Sequence, residues 1–270
     1  MKIYNLGGIY MNLQIIDGYN DSLVIALFIV GALIIIMTII ATITQIYLMV
    51  SYIKYNRREN SLGKTGEEIA RDILDRHDLS HIKVSKNGSF LFGNSYSHYF
   101  KKVRLRRLTY RKKSLTSLAM ATQKSSLALL DKEGDPDMKT RIALTPIIFF
   151  GPLAFIPIVA IGVILDILVF NSNGTVIIVT TALGFAFLIA SVVLQFIQLK
   201  TEKKAQVRAL ELMKSDNLAT SEEQELIQRL YHLYNIEYIN NIILAILEII
   251  YRILMIALRV NSSSSSSSSK

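Results

Sequence analysis

The 270-residue chain contains no cysteine. That excludes disulfides, a thiol nucleophile and every cysteine-based zinc site. Histidine is almost as scarce. His77, His81, His98 and His232 are the only four, which leaves little material for a metal centre. Two further signatures are missing. Residues 1–20 hold Lys2 as their only Lys or Arg, so no basic n-region leads into a short apolar core, and a cleaved signal peptide is not expected. Gly63-Lys64-Thr65 looks like the end of a phosphate-binding loop, but the Gly required five residues before Gly63 is Arg58, which excludes that motif.

What the chain has in quantity is apolar surface. Hydrophobic residues make up 51% of it. Ser22 to Ile53 runs without a charge and exceeds the ~20 residues that span a bilayer. Further apolar stretches cover 142–170, 174–199 and, more weakly, 242–258, where the alternative is a helix lying on the membrane surface. Pro146, Pro152 and Pro157 are expected to kink the second stretch. The net charge of +9 then reads as a positive-inside bias rather than as a nucleic-acid surface. Lys and Arg outnumber Asp and Glu twofold between Lys54 and Arg141. The rule therefore places 54–141 in the cytoplasm and residues 1–21 outside. By parity 200–241 is cytoplasmic and the C-terminus outside. Eight consecutive serines within 261–270 read as a disordered tail.

The 54–141 segment reads as a small α/β domain. Thr65-Gly-Glu-Glu68 is a capping box, and Ile69, Ala70, Ile73 and Leu74 give the apolar face of a helix ending near His77. Strands are expected at Ile82–Lys86, Ser89–Phe92 and Tyr99–Leu105, with a hairpin turn at Asn87-Gly88. His77 and His81 are four apart beside an acid, the spacing of a helical metal pair. But they straddle a helix end and a strand, so the two imidazoles need not share a face. Lys101 to Lys113 is rich in Lys and Arg interleaved with Val, Leu and Tyr; anionic lipid is a simpler partner for it than nucleic acid. Beyond the third span, Ser221-Glu-Glu-Gln224 reads as the cap of a further helix ending near Tyr234.

Ser114 to Asp131 reads as an amphipathic helix, with Leu115, Leu118, Ala119, Thr122 and Leu129 at helical spacing. This stretch resembles the active-site helix of the YugP-type neutral zinc metallopeptidases, S-I-A-A-x-A-V-A-A-H-E-x-G-H-A-x-Q. Three other segments resemble that family in the same order. Asn60 to Asp75 is similar to its G-x-T-G-x-E-x-A-R-x-I-L-D segment. His98-Tyr99 with Lys102 to Leu105 is similar to D-H-Y-D-P…V-R-L-S, without the Asp-Pro. Leu199 to Leu210 is similar to L-P-V-E-F-N-A-S-x-R-A-L. The resemblance implies a membrane α-helical protein of about four spans with a small cytoplasmic α/β zincin-like domain. It implies zinc as the family's cofactor, and it makes Glu202 the counterpart of the third zinc ligand.

The same resemblance shows what has changed. The motif region here reads Gln123-Lys124-Ser125-Ser126-Leu127. Gln123 and Leu127 stand where the family has its two His ligands, and Lys124 where it has the general-base Glu. Two imidazoles at i and i+4 and a carboxylate are what that chemistry needs. The expectation is therefore a non-catalytic member that binds no zinc, embedded in the lipid bilayer as a binding or adaptor subunit with other membrane proteins as partners. The alternatives are an active peptidase using His77, His81 or His98 with Glu202, and a basic scaffold for anionic lipid or nucleic acid. A retained Glu202 needs a new partner. It is expected to take an ion pair from Lys124 or a hydrogen bond from Gln123.

Overall fold

The computed structural model describes residues 21–87, 93–170, 172 and 174–267. The N-terminal segment, the expected strand at Ser89–Phe92, Gly88 of the expected hairpin turn and the last three residues lie outside them. The chain divides into two compact units, Met1–Ile40 with Ile243–Lys270, and Ala41–Ile242. In the first unit, the N-terminal part of α1 (Asp21–Arg57) and the C-terminal part of α7 (Ser221–Ser267) are both rich in exposed large apolar side chains. Phe28 is 73% exposed and Ile35 63%. A water-facing surface of that kind is not stable, whereas a lipid-facing one is.

The second unit is built around α4 (Leu115–Lys132). Ser114 caps it, its Oγ accepting from the Ser117 amide at 3.1 Å. Every side chain from Leu115 to Leu130 is buried. The amphipathic expectation is thus corrected: α4 has no solvent face. It is packed by α2 (Gly66–Arg76), by the sheet, by α6 (Thr175–Ser215) and by α7. Small residues such as Ala119, Ala121, Ser125, Ser126 and Ala128 let these elements approach. Two of its buried hydroxyls bond to the preceding turn, Thr122 to the Leu118 carbonyl at 2.8 Å and Ser126 to the Thr122 carbonyl at 2.8 Å, whereas the buried Ser125 Oγ has no partner among the described residues. The Thr65–Glu68 capping box opens α2 as expected, and Ile69, Ala70, Ile73 and Leu74 enter the core. Gly66 lies so close to the Thr109 carbonyl that a Cβ there would come within 2.2 Å of its oxygen.

The sheet has the order β1-β3-β2, with β1 (Lys83–Asn87) parallel and β2 (Ser95–Ser97) antiparallel to β3 (Lys102–Arg106). Hairpin pairing of β1 with the next strand is therefore not what the described strands show. β3 takes the centre because its Val103 and Leu105 are fully buried, and their alternation with Lys102, Arg104 and Arg106 sends those cations outward. The basic run 101–113 is thus the solvated face of a strand followed by the short α3 (Arg107–Arg111). His77 is the C-cap of α2, and His81 lies in the turn before β1, so the pair does straddle a helix end and a strand.

The long helices differ from the expected boundaries. α5 (Pro136–Leu165) starts six residues early, with Asp135 as N-cap and Pro136 in its first turn. A five-residue π-helical turn, Asp166–Phe170, follows it. α6 continues from its apolar part at 175–199 straight into the charged 200–215, because no Gly or Pro interrupts it there. It stops at Asn217, which takes the left-handed φ of 53° that Asn tolerates. α7 is likewise one helix through the expected surface helix and the expected span. It is helical as far as Ser267, so the disordered-tail expectation is corrected there: a formed helix extends at little cost into residues that cannot nucleate one. Its capping box is Thr220–Glu223 rather than Ser221–Gln224. Three described helices are long and apolar enough to cross a membrane, Ser22–Arg57, Thr175–Ser215 and Ser221–Val260, and Phe155–Phe170 is a shorter apolar one.

Candidate functional site

The site lies where the middle of α4 meets the first charged turn of α6. Glu202 is 2% exposed, and both its oxygens are engaged. Oε2 accepts from Lys124 Nζ at 2.7 Å and from Gln123 Nε2 at 2.9 Å. Oε1 accepts from a guanidinium nitrogen of Arg141 at 2.9 Å, while the other Arg141 nitrogen donates to Thr201 Oγ1 at 2.9 Å. The expected partnership is present in both of its forms at once. Gln123 and Lys124 are nearly as buried as the carboxylate.

Helix geometry brings these groups together. Gln123 and Lys124 are adjacent on α4, and their long side chains reach α6 on the flank where Ala205 is fully buried. Arg141 comes from the second turn of α5, which Asp135 and Pro136 start at the right place. Lys204 fixes that start by pairing with Asp135 at 2.6 Å.

Two cations thus enclose one carboxylate. Burial opposes ionisation of Glu202, but the charges of Lys124 and Arg141 and their hydrogen bonds outweigh it and hold the carboxyl down to about 2. Burial also pulls the Lys124 ammonium below its ordinary range, and Glu202 opposes that shift. The group is a closed ion-pair network, with no open acid or base in it.

The donors do not suit the zinc that the family resemblance implies. Leu127 is fully buried against Leu130, Met138 and Ala205 and offers no lone pair. Gln123 turns its amide nitrogen, a donor, toward the carboxylate. Lys124 Nζ holds the Glu202 oxygen at hydrogen-bond distance, so a cation already occupies the side from which a metal would be bound. Among the described residues no three His, Asp or Glu side chains converge as a metal site.

Nor do the histidines gather around Glu202. His98 Nδ1 lies 2.6 Å from Asp131, at the end of α4, whose same oxygen accepts from Tyr96 at 2.5 Å. Burial and that partner push the Tyr96 phenol up. Lys132 Nζ donates to the backbone carbonyl of His77 at 2.7 Å, and His81 is exposed. The alternative site of His77, His81 or His98 with Glu202 is therefore not assembled.

A cavity of about 220 Å³ opens beside Gln123 and Lys124, walled by Arg106, Tyr234, Glu237 and Tyr238 among others. Sequence reasoning missed this wall and missed Arg141. Tyr234, Glu237 and Tyr238 sit at i, i+3 and i+4 on α7, a pattern that was available to read. Arg141 gave no signal beyond its charge at the head of an apolar stretch.

The comparisons with known proteins bear on the family of the chain. A family model described as "Putative neutral zinc metallopeptidase" matches residues 30–257. A protein of Bacillus subtilis (strain 168) described as "Putative membrane protease YugP" is 27% identical over 212 residues, which is 76% of this chain and 86% of that protein. No solved structure matches the chain.

Proposed function

The chain belongs to this zinc metallopeptidase family, and on that premise we propose that it is a member that has exchanged metal hydrolysis for binding. The observation that carries the proposal is the closure of Glu202 by Lys124, Gln123 and Arg141. A hydrolytic zinc needs three protein ligands and a bound water with a base beside it. Here the ligand carboxylate is spent on an ammonium and a guanidinium. What remains is a membrane-anchored domain with a polar cavity beside the same helix, which suits a binding or adaptor subunit of a membrane assembly.

Metal analysis of the protein purified without chelators tests this. Zinc should stay below about a tenth of an equivalent per chain, since a lone carboxylate shared with two cations does not hold the ion. Retention of one zinc per chain, or cleavage of casein that a chelator stops, would sink the proposal.

The orientation belongs to the same proposal. The chain crosses the membrane four times, at 22–53, 142–170, 174–199 and 242–258, with both termini outside. The domain at 54–141 and the segment 200–241 then face the cytoplasm. Its support is the excess of Lys and Arg after the first span. The absence of native cysteine makes labelling clean. Lys83→Cys and Thr175→Cys, both at exposed positions, should react from opposite sides of intact cells, with Thr175→Cys alone open to an impermeant maleimide. Labelling of Lys83→Cys from outside reverses the orientation.

A further inference from the structure

A second cavity of the Ala41–Ile242 unit lies away from Glu202. It is an open groove of about 860 Å³ between α1, α6 and α7. Its walls carry side chains from the charged ends of all three helices and, on α1, from the apolar run. On α1, exposed Tyr47 lies in the apolar run and Lys54 directly follows its end at Ile53. On α6, Lys203 follows the end of the apolar run at Leu199, and Val207 stands one turn further, 57% exposed. On α7, Arg229 belongs to the charged half that precedes Ile242. At 1.5 Å rise per residue, Tyr47 to Lys54 covers roughly 10 Å, more than the depth of one headgroup layer, so the groove can reach from the hydrocarbon edge to the headgroups.

The charge on the walls is uneven. Arg229 is held by Glu225 at 2.5 Å. Lys54 and Lys203 have no ion pair among the described residues, and both are exposed. A groove with an aromatic side chain at its membrane edge and two exposed cations above it matches one kind of occupant, an amphiphile with a negative head. We propose that this groove binds an anionic phospholipid, with its phosphate between Lys54 and Lys203 and its acyl chains running down past Tyr47. The inference does not depend on whether the zinc site is lost.

The chain has no tryptophan, so Tyr47→Trp introduces a single fluorophore on the groove wall at its membrane edge. The full-length variant is placed in phosphatidylcholine nanodiscs containing a small fraction of brominated phosphatidylglycerol or, separately, brominated phosphatidylcholine. Each Lys near an anionic headgroup is worth roughly fivefold in local enrichment. The Tyr47→Trp fluorophore should therefore be quenched by phosphatidylglycerol as if that lipid were enriched at least about fivefold over phosphatidylcholine. The preference should disappear in K54A/K203A and withstand millimolar glycerol 3-phosphate. Phe196→Trp, on an exposed part of α6 that does not line the groove, serves as the control and should show no preference that depends on those lysines. Its quenching by brominated phosphatidylcholine also reports whether K54A/K203A remains folded and inserted. Equal quenching of the groove fluorophore by both lipids, or a preference that survives K54A/K203A, overturns the proposal. So does the same lysine-dependent preference in the Phe196→Trp control, which would reflect general surface charge. Displacement by glycerol 3-phosphate would assign the groove to a soluble phosphate compound instead of a lipid.

Discussion

Lys124→Ala is expected to lower the stability of the protein by about 3–5 kcal/mol, because removing one member of a buried ion pair leaves the other desolvated and short of charge. Glu202 is the group left behind. It keeps Arg141 and Gln123, so the loss should fall toward the lower end of that range. The change also deletes a long side chain that fills space between α4 and α6. In a thermal melt of the detergent-solubilised protein this corresponds to a fall in Tm of roughly 10 °C. The companion change Glu202→Gln tells charge from packing. In the double variant K124A/E202Q no ionised carboxylate remains, and Arg141, at the edge of the network with a side chain 16% exposed, can turn toward solvent. Most of the lost stability should return. If Lys124→Ala costs less than about 1 kcal/mol, the pair behaves as a surface salt bridge and the argument for a closed network fails. If Glu202→Gln does not rescue it, the cost is packing alone.

The same network gives the stability a defined acid dependence. The folded carboxyl of Glu202 is held down to about 2, below its ordinary value of 4.5. A carboxyl depressed on folding contributes stability that is complete above its unfolded value and is lost as pH falls through its folded one. The contribution should therefore be flat above about pH 4.5 and decline between there and about pH 2. At 1.36 kcal/mol per pH unit the loss is roughly 3 kcal/mol. Glu202→Gln should remove this part of the acid dependence and leave that of the surface carboxylates in place.

How much of this could be read from the chain depended on whether the signal was local. The capping box at Thr65–Glu68 and the N-cap at Ser114 are local, and both stand where the sequence puts them. The meeting of α4 with Glu202 was legible because an unpaired buried carboxylate is too costly to keep, and Lys124 and Gln123 were the new residues near it. Arg141 was not legible. A basic residue at the head of an apolar stretch reads as a topology signal, and only the position of α5 beside α6 turns it inward. The burial of α4 on every face was also hidden. Its Ser and Thr residues look like a solvent face until the bonds of Thr122 and Ser126 to preceding carbonyls are seen. At the start of α7 two overlapping registers, Thr220–Glu223 and Ser221–Gln224, both satisfy the capping pattern. Tertiary contact decides between them, since Glu223 also accepts from the Ser61 amide and hydroxyl. The hairpin expected at Asn87-Gly88 lies outside the described residues from Gly88 onward, and the pairing of β1 with β3 carried no local signal. A turn signal describes neighbours in sequence, whereas the order of the sheet follows the burial of Val103 and Leu105 on β3.

If the proposed reading holds, rebuilding the metal site should raise zinc content from below about a tenth of an equivalent to about one zinc per chain. The triple variant Q123H/K124E/L127H places two imidazoles at i and i+4 on α4, opposite Glu202, and removes the ammonium that now pairs with it. Three protein ligands and a water complete the four-coordinate sphere of a catalytic zinc, with Zn–N at roughly 2.0–2.1 Å. The step at 127 carries the main cost, because an imidazole replaces an apolar side chain packed against Leu130, Met138 and Ala205. Metal binding is expected to offset it, so the triple variant should melt lower than the unaltered protein without zinc and recover when zinc is added. Arg141 still holds one oxygen of Glu202, and it leaves the other free for the ion. Adding Glu202→Ala to the triple variant should abolish stoichiometric zinc, since two imidazoles alone make an incomplete site. Analysis by inductively coupled plasma mass spectrometry, with equilibrium dialysis against zinc, separates these cases. A triple variant that stays folded yet binds no more zinc than the unaltered chain would mean that α4 and α6 no longer stand at the spacing a zinc site requires. The departure from the family motif at Gln123, Lys124 and Leu127 would then be accompanied by a change in the helix packing itself.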